Sequence, residues 1–232
     1  MATLLLQCVA PLQAWGTQGL FSVRETGRDP SKSGIVGLLC AALGTPRTDD
    51  ARVAQLAALR MGVRVDQEGS ILRDYHTASN IFKAGGGFKE TEPSTRYYLS
   101  DSAFLVGLEG EFALLERLHS ALANPHWMLF LGRKSCPPGR PVYLSDGLRV
   151  EPLEAVLRSY PWLGTRIERY KAMHSVRLVL DDYAGSEVRP DRPISFAARR
   201  FAERRVTTTF ISLPPWRETT PSPSAPAMED LA

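Results

Sequence analysis

Apolar segments follow one another over residues 1–147 in the order strand, helix, strand, strand, helix, strand. The first segment, Thr3–Val9, is a short, mostly apolar run bounded by Pro11, which is typical of a buried strand. Later, GVRVDQ alternates apolar and polar residues, as a half-buried strand does. This order predicts an α+β domain of ferredoxin-like type, the βαββαβ arrangement shared with RNA-recognition domains.

Three predicted helices support this interpretation. In GIVGLLCAALG, Ser33 is positioned to cap the start, and Gly44 with Pro46 ends the helix. DDARVAQLAALRM has acidic residues at its start and predicts a second helix beside it. EFALLERLHSALANP places leucines on one face and stops at Asn124. After it we expect a short strand around Trp127–Leu131, then the turn GRKSCPPGRP and the segment VYLSDG.

The remainder of the chain divides into two parts. Residues 148–213 hold a helix, PLEAVLRSY, and two strands, HSVRLVLDD and RRVTTTFISL, which predict a smaller C-terminal β-rich element. Residues 214–232 contain five prolines among serine, threonine and glutamate. Such a composition cannot bury a core, so we expect a disordered tail.

The net charge and the cysteines indicate which partners and which cellular compartment to expect. The formal charge of +3 is compatible with a nucleic-acid partner but does not prove one. The three cysteines, Cys8, Cys40 and Cys136, form neither a C-x-x-C pair nor an even set, which favours reduced thiols in the cytoplasm. No apolar run approaches the roughly 20 residues of a membrane span. Because nucleotide-binding and metal-binding motifs are lacking, we expect no cofactor and no metal.

The segment DYHTASNIFKAGGGFKETEPSTRYY, residues 74–98, is too long for an ordinary loop in a compact domain. It is either a disordered insertion or a projecting β-hairpin arm whose tip is Gly85–Gly87. In the second case the arm carries cations for phosphates and aromatic rings to stack on bases. The cations are Lys83, Lys89 and Arg96, and the rings are Phe82, Phe88, Tyr97 and Tyr98.

Two further basic loops bear on function. Arg28 and Lys32 precede a helix start, where backbone N–H groups and the helix dipole attract anions. Arg133, Lys134 and Ser135 occupy the turn after Gly132. Taken singly, each loop is explained by helix capping with solvated charges or by an exposed turn, and the three basic segments indicate a binding surface only together.

Residue types for metal-free RNA cleavage are also present. Such cleavage needs a base near the 2′-hydroxyl, usually histidine, with tyrosine or lysine assisting. His76, Tyr75 and either Lys83 or Lys89 supply those types. A metal-independent endoribonuclease is therefore the alternative function, and a small-molecule α/β enzyme is a third.

Five motifs in order, PLQAWG, TGRDPSKSGIVGLL, LRDYH, YYLSDSAF and FLGRKSCPP, resemble the CasD family. This is a RAMP-superfamily subunit of the type I-E CRISPR surveillance complex, Cascade. The resemblance is close over roughly residues 4–145. It implies a ferredoxin-like domain with a long β-hairpin "thumb" and a small C-terminal β element.

The resemblance also implies a role in antiviral defence. A member of this family is a non-catalytic RNA-binding subunit that caps the 5′ handle of the CRISPR RNA (crRNA) and kinks it with the thumb. Its partners would be the crRNA, the backbone subunit and the large subunit that reads the PAM, with target DNA touched indirectly. The thumb would be residues 74–98, with its core at roughly His76–Arg96. The implied RNA-binding residues are Arg24, Arg28, Lys32, Ser33, Arg73, His76, Phe82, Lys83, Phe88, Lys89, Arg96, Tyr97, Arg133, Lys134 and Ser135.

Overall fold

The computed structural model describes residues 1–16, 22–164 and 167–216. Its strands are β1 (Ala2–Gln13), β2 (Val23–Arg24), β3 (Arg60–Gln67), β4 (Ser70–Phe82), β5 (Phe88–Gly110), β6 (Tyr143–Arg149), β7 (Ser175–Asp181), β8 (Glu187–Ser195) and β9 (Arg200–Ser212). Its helices are α1 (Lys32–Leu43), α2 (Asp50–Ala57), α3 (Phe112–Ala123), α4 (Leu153–Ser159) and α5 (Ile167–Ala172).

One large sheet organises these elements in the order β6-β1-β5-β3-β7-β9-β8. All neighbours on this path are antiparallel, and β2 and β4 pair with β5 outside it. Because β7 pairs with β3, the C-terminal strands extend the same sheet that the first half begins. The mixed α/β class with a predominantly antiparallel sheet agrees with the sequence-based expectation.

Both faces of the sheet are covered by helices. Leu4 and Leu6 of β1 lie in a core with Ile35 of α1 and Leu115 of α3, whereas Leu5 packs with Leu157 of α4 on the opposite face. Successive side chains of a strand point to opposite faces, so a strand covered on both sides is expected to be largely apolar. This explains why Thr3–Val9 is mostly apolar, with Thr3 and Gln7 as its polar residues.

The start of α1 differs from the sequence-based expectation. Ser31, and not Ser33, is the N-cap, and its hydroxyl accepts from the Gly34 amide at 3.3 Å. Ser33 lies inside the first turn because the helix already begins at Lys32. Gly44 ends the helix as expected, with a φ of 70°. A side chain there would also meet the His126 ring at 2.7 Å.

The strand β3 is buried on both faces, which corrects the half-buried interpretation of GVRVDQ. Arg64 and Asp66, its polar residues, are fully buried and form an ion pair at 2.6 Å. Arg64 also donates to the carbonyl oxygen of Leu157 in α4 and to those of Tyr160 and Pro161 just after it. Asp66 accepts from the Leu163 amide at 2.7 Å. The end of α4 and the segment after it cover the polar face of β3, because their carbonyl groups satisfy the buried guanidinium.

Three other expectations need correction. The segment Trp127–Leu131 is not a strand, and the strand after α3 is β6. The strand β8, which sequence reasoning missed, contains Pro190 and Pro193 and lies at the edge of the sheet, where proline is tolerated. Pro214–Trp216, the start of the expected tail, pack beside Trp162 and Tyr170. Residues 217–232 lie outside the described residues.

Candidate nucleic-acid interface

Residues 74–98 lie within a long β-hairpin made by β4 and β5. The two strands pair from Ser70↔Ser100 to Phe82↔Phe88. Lys83–Gly87 form the tip, where the Lys83 amide donates to the Gly87 oxygen at 3.0 Å and the Gly86 amide to the Lys83 oxygen at 3.0 Å. The segment is therefore a paired arm and not an unstructured insertion.

The triple glycine has unequal conformational roles. Gly86 and Gly87 have φ values of 88° and 78°, a region that side-chain-bearing residues rarely adopt. Gly85 has no such angle, and a β-carbon added at any of the three would meet no atom within 4 Å. The tip thus needs glycine for backbone geometry at two positions, and the space around it is open.

Aromatic rings at the tip are exposed. Phe82 and Phe88 are 70% and 67% accessible, although their rings contact each other edge-to-face at 5.3 Å. Tyr75, further down β4, is 68% accessible. Exposed rings on a projecting arm are the type of surface on which nucleobases stack.

Charges along the hairpin are partly neutralised. Lys89 pairs with Glu92 on the same strand, whereas Lys83 makes no side-chain hydrogen bond or ion pair within the described residues. Arg73, near the base of β4, is exposed and likewise makes no such contact with any part of the chain that the structure describes. Lys83 and Arg73 are therefore cations that the arm leaves available for a ligand.

The base of the hairpin gathers residues from three separate parts of the sequence. The short strand β2 pairs in parallel with β5, with Arg24 opposite Arg96. From the loop after α3, Arg133 reaches the same place. Its guanidinium donates to the carbonyl oxygens of Tyr97 at 3.0 Å, Arg24 at 2.8 Å and Glu25 at 3.2 Å.

Arg133 also covers an aromatic ring. Its guanidinium carbon lies 4.7 Å from the centre of the Tyr98 ring, and the Tyr98 hydroxyl is 3.4 Å from the hydroxyl of Ser135. Burial by itself would raise the pKa of Tyr98, but contacts with Ser135 and Arg133 lower it below its ordinary value. Arg133 therefore braces the hairpin base, while its neighbour Lys134 is exposed.

Lys32, by contrast, does not reach the surface. Its side chain is 7% accessible, and its ammonium group forms an ion pair with Asp181 at 2.6 Å. The Lys32 amide, the expected anion-binding donor at the start of α1, donates to the Asp191 carboxylate at 2.8 Å. The expected anion site at this helix start is thus occupied by a carboxylate of the chain itself, which is a correction.

Arg28 remains exposed in the same loop, beside a cavity of about 690 Å³. Next to it, buried Asp29 pairs with Arg177 of β7 and Arg189 of β8. Burial would lower the pKa of Arg177, but hydrogen bonds with Glu68 and Asp29 raise it above its ordinary value. Sequence reasoning missed both arginines because they lie about 150 residues from Asp29 and carry no local motif.

The residues proposed for RNA cleavage are not brought together. His76 and Tyr75 are consecutive on β4, so their side chains point to opposite faces of the hairpin. Six residues of strand separate His76 from the tip, a distance of about 20 Å. Lys83 and Lys89 therefore cannot assist a base at His76 in this conformation.

The described part of the chain contains neither a metal cluster nor a membrane-spanning helix. No group of three or more histidine, cysteine or acidic residues there could hold a metal ion. No helix within the described ranges is long and apolar enough to cross a membrane. Cys8, Cys40 and Cys136 are free and buried.

Comparison with known proteins relates this architecture to one family. Residues 3–207 match the family model described as CRISPR-associated protein (Cas_Cas5). The chain is 32% identical over 215 residues to the protein named CRISPR system Cascade subunit CasD from Escherichia coli (strain K12). That alignment covers 87% of this chain and 92% of the relative.

Two solved structures are similar over nearly the whole chain. One, named "Crystal structure of Cas protein", shares 44% identity with a TM-score of 0.74, covering 92% of this chain and 98% of that one. The other belongs to a "CRISPR RNA-guided surveillance complex" and shares 28% identity with a TM-score of 0.76, covering 91% of each chain.

Proposed function

This chain belongs to the CRISPR-associated Cas5 family, and on that basis we propose that it is a non-catalytic, crRNA-binding subunit of a type I-E Cascade complex. In this role it caps the 5′ handle of the crRNA, and the β4–β5 hairpin acts as the thumb that kinks the RNA. The partners are the crRNA, the backbone subunit and the large PAM-reading subunit, and target DNA is contacted indirectly. A cytoplasmic location and a function in antiviral defence are part of the proposal.

The observation that carries this proposal is the hairpin itself, an exposed arm with a basic base and an aromatic tip. Stacking of a base on an aromatic side chain is worth about 1–3 kcal/mol, and a free cation adds phosphate attraction. We assign stacking to Phe82 and Phe88 at the tip. Phosphate contacts go to the accessible cations Arg24, Arg28, Arg73, Lys83 and Lys134.

The strand order supports a ferredoxin-like interpretation of the first half. In that fold the chain order βαββαβ gives a sheet in which the first and third strands are central. Here β1 and β5 are central, flanked by β6 and β3, and the order is β6-β1-β5-β3. Under this interpretation β3 and β5 are the second and third strands of the fold. The thumb is the hairpin that β4 forms with the first part of β5, and it lies between those two strands in the chain.

Non-catalytic action is favoured over the endoribonuclease by the separation of His76 from the lysines of the tip. A direct assay tests this: purified protein is incubated with labelled CRISPR repeat RNA in EDTA. We expect intact RNA. A discrete product that disappears in His76→Ala would establish the endoribonuclease instead.

Salt dependence of handle binding tests the RNA-binding role. Each neutralised phosphate releases counterions, so affinity for labelled handle RNA should fall steeply as salt rises from about 50 to about 300 mM. In filter binding across this range, the variant Arg24→Ala/Arg28→Ala/Arg73→Ala should show a flatter dependence than wild type. A flat response of the wild-type protein would contradict the proposal.

A further inference from the structure

The ends of β8 and β9 form a second hairpin at the other end of the sheet from the thumb. Residues Arg200–Arg205 of β9 pair only with β8, because β7 pairs with β9 from Val206 onward. This hairpin comprises residues 192–205, and its strand β8 packs against α1 and α2. We call it the arginine hairpin.

Exposed charge on the arginine hairpin is one-sided. Arg192, Arg199, Arg200 and Arg205 are exposed, and Glu203 is the exposed acid of this range. The excess of three positive charges equals the formal charge of +3 of the entire chain. Such local concentration of charge is the electrostatic footprint of a polyanion-binding surface.

Three of these arginines are unengaged. Arg205 donates to the Gly185 carbonyl, but Arg192, Arg199 and Arg200 make no side-chain hydrogen bond or ion pair within the described residues. Elsewhere in the same region, buried Arg204 is held between Asp181 and Asp191. The guanidinium groups of Arg192, Arg199 and Arg200 are therefore exposed to solvent and available to a ligand.

The register of the arginine hairpin brings two of the three close together. Arg192 lies opposite Ala202, and Arg200 lies opposite Ser195, with a register shift between Pro193 and Ser195. Because Arg200 is only two positions from the partner of Arg192 on β9, the two arginines lie near each other at the end of the hairpin.

The turn that carries the third arginine is held by a hydrogen bond and a ring contact. Arg199 has a φ of 51°, a left-handed conformation that favours glycine or asparagine and costs an arginine about 1–2 kcal/mol. The Ala198 amide donates to the Ser195 hydroxyl at 3.1 Å, and Phe196 packs edge-to-face on Phe201 at 6.4 Å. An arginine held at a strained position in a fixed turn points to a use for its side chain.

We propose that the arginine hairpin is a second nucleic-acid contact, which binds a phosphodiester backbone through Arg192, Arg199 and Arg200. Guanidinium groups bind phosphate oxygens bidentately and independently of sequence. A protein partner adding a strand here is disfavoured, because Pro190 and Pro193 remove amide donors from the edge strand β8. This site does not depend on the thumb, which extends from the opposite end of the sheet.

The test measures binding of the full chain to fluorescein-labelled oligouridine and to a duplex DNA of unrelated sequence by anisotropy across a salt series. The variant is Arg192→Ala/Arg199→Gly/Arg200→Ala, in which glycine suits the left-handed turn. The slope of log affinity against log salt concentration should become less negative by about 2 for the single strand and by between about 2 and 3 for the duplex. The control Arg47→Ala/Arg117→Ala/Arg169→Ala removes the same charge elsewhere and should leave the slope unchanged.

If the variant has a flatter salt dependence with only one of the two probes, the site is supported, and that probe identifies its ligand as RNA or as duplex DNA. Unchanged slopes with both probes, as expected for a surface that binds an acidic protein, would overturn the proposal. Equal flattening in the control would also overturn it, since the loss of net charge would then explain the result.

The milder Arg192→Gln/Arg200→Gln variant, which keeps the turn intact, should make the single-strand slope less negative by about 1 to 1.5. Handle binding by the thumb is measured separately with Arg24→Ala/Arg28→Ala/Arg73→Ala, so that failure of one site is distinguishable from failure of the other.

Discussion

Arg133 holds the ring of Tyr98 under its guanidinium at 4.7 Å while the same group ties together β2 and β5 through three carbonyl oxygens. The turn GRKSC therefore supplies a brace for the hairpin base in addition to an exposed cation. The distinction between brace and contact can be measured.

Replacing Arg133 separates these roles. Arg133→Ala should lower the free energy of unfolding by about 1.5–3 kcal/mol, since hydrogen bonds from a charged group are lost, and should weaken handle binding. Arg133→Lys keeps the charge but cannot reproduce the several donors of the guanidinium group. It should therefore reduce stability and handle binding nearly as much as Arg133→Ala does. Urea denaturation and filter binding measure both effects. Lys134→Ala is the control, with weaker binding and unchanged stability. Full binding by Arg133→Lys would show that only the charge matters.

Removing the exposed rings of the tip should affect binding without affecting the fold. Phe82→Ala/Phe88→Ala is expected to weaken handle binding by about 1–3 kcal/mol per stacked base, with an unchanged thermal midpoint because both rings are largely in solvent. Phe210→Ala, at an equally exposed ring on β9, is the matched control. Wild-type affinity of the double variant would mean that the tip touches no base.

The glycines of the tip should tolerate substitution unequally. Gly87→Ala places a side chain at a φ of 78° and should destabilise the tip by about 1–2 kcal/mol, whereas Gly85→Ala should be neutral. The Lys83 amide, which donates to Gly87, reports this by hydrogen exchange. Exchange should become about 5–30-fold faster in Gly87→Ala alone. Equal protection in both variants would argue against the turn geometry described.

Asp181 should be essential for stability. Its carboxylate joins Lys32 and Arg204, whose side chains are 7% and 6% accessible, and also accepts from the Met61 amide at 2.9 Å. Asp181→Ala leaves two buried cations with less compensation and should cost about 3–5 kcal/mol in urea denaturation. Glu203→Ala, at an exposed carboxylate on β9, should stay within about 0.5 kcal/mol of wild type. Similar losses in the two variants would contradict the assigned network.

The cysteines should be unreactive in the folded protein. Burial raises the pKa of Cys8 to about 12 and that of Cys40 to about 11, so both stay protonated and shielded at pH 8. Because these folded-state values lie above the unfolded value of about 9, the thiols favour folding below pH 9. That contribution is lost as the pH rises towards the folded values. Iodoacetamide followed by mass spectrometry should label neither residue at pH 8 until urea is added. Rapid native labelling of Cys8 would refute its burial.

Local pattern determined much of the secondary structure. The leucine spacing of α3, the glycine stop of α1 and the mostly apolar run of β1 are each a local signal that one segment carries by itself. These features need no knowledge of the rest of the chain. The hairpin, in contrast, was one of two alternatives for residues 74–98, and the pairing of β4 with β5 decided between them.

Tertiary structure decided what the charged residues do. Lys32 looked like a surface cation, but its partner Asp181 is 149 positions away, and Arg64 is buried because a segment 93 to 97 positions later caps it. Arg133 looked like a phosphate contact, yet it bonds to carbonyl groups more than 100 positions earlier, at β2 and just after it. A side chain's periodicity is encoded next to it, whereas the solvation and partners of a charge depend on which distant segments fold over it. The sequence therefore determined where most of the strands and helices lie, and only the folded chain decided that residues 74–98 form a hairpin and which cations remain free to bind.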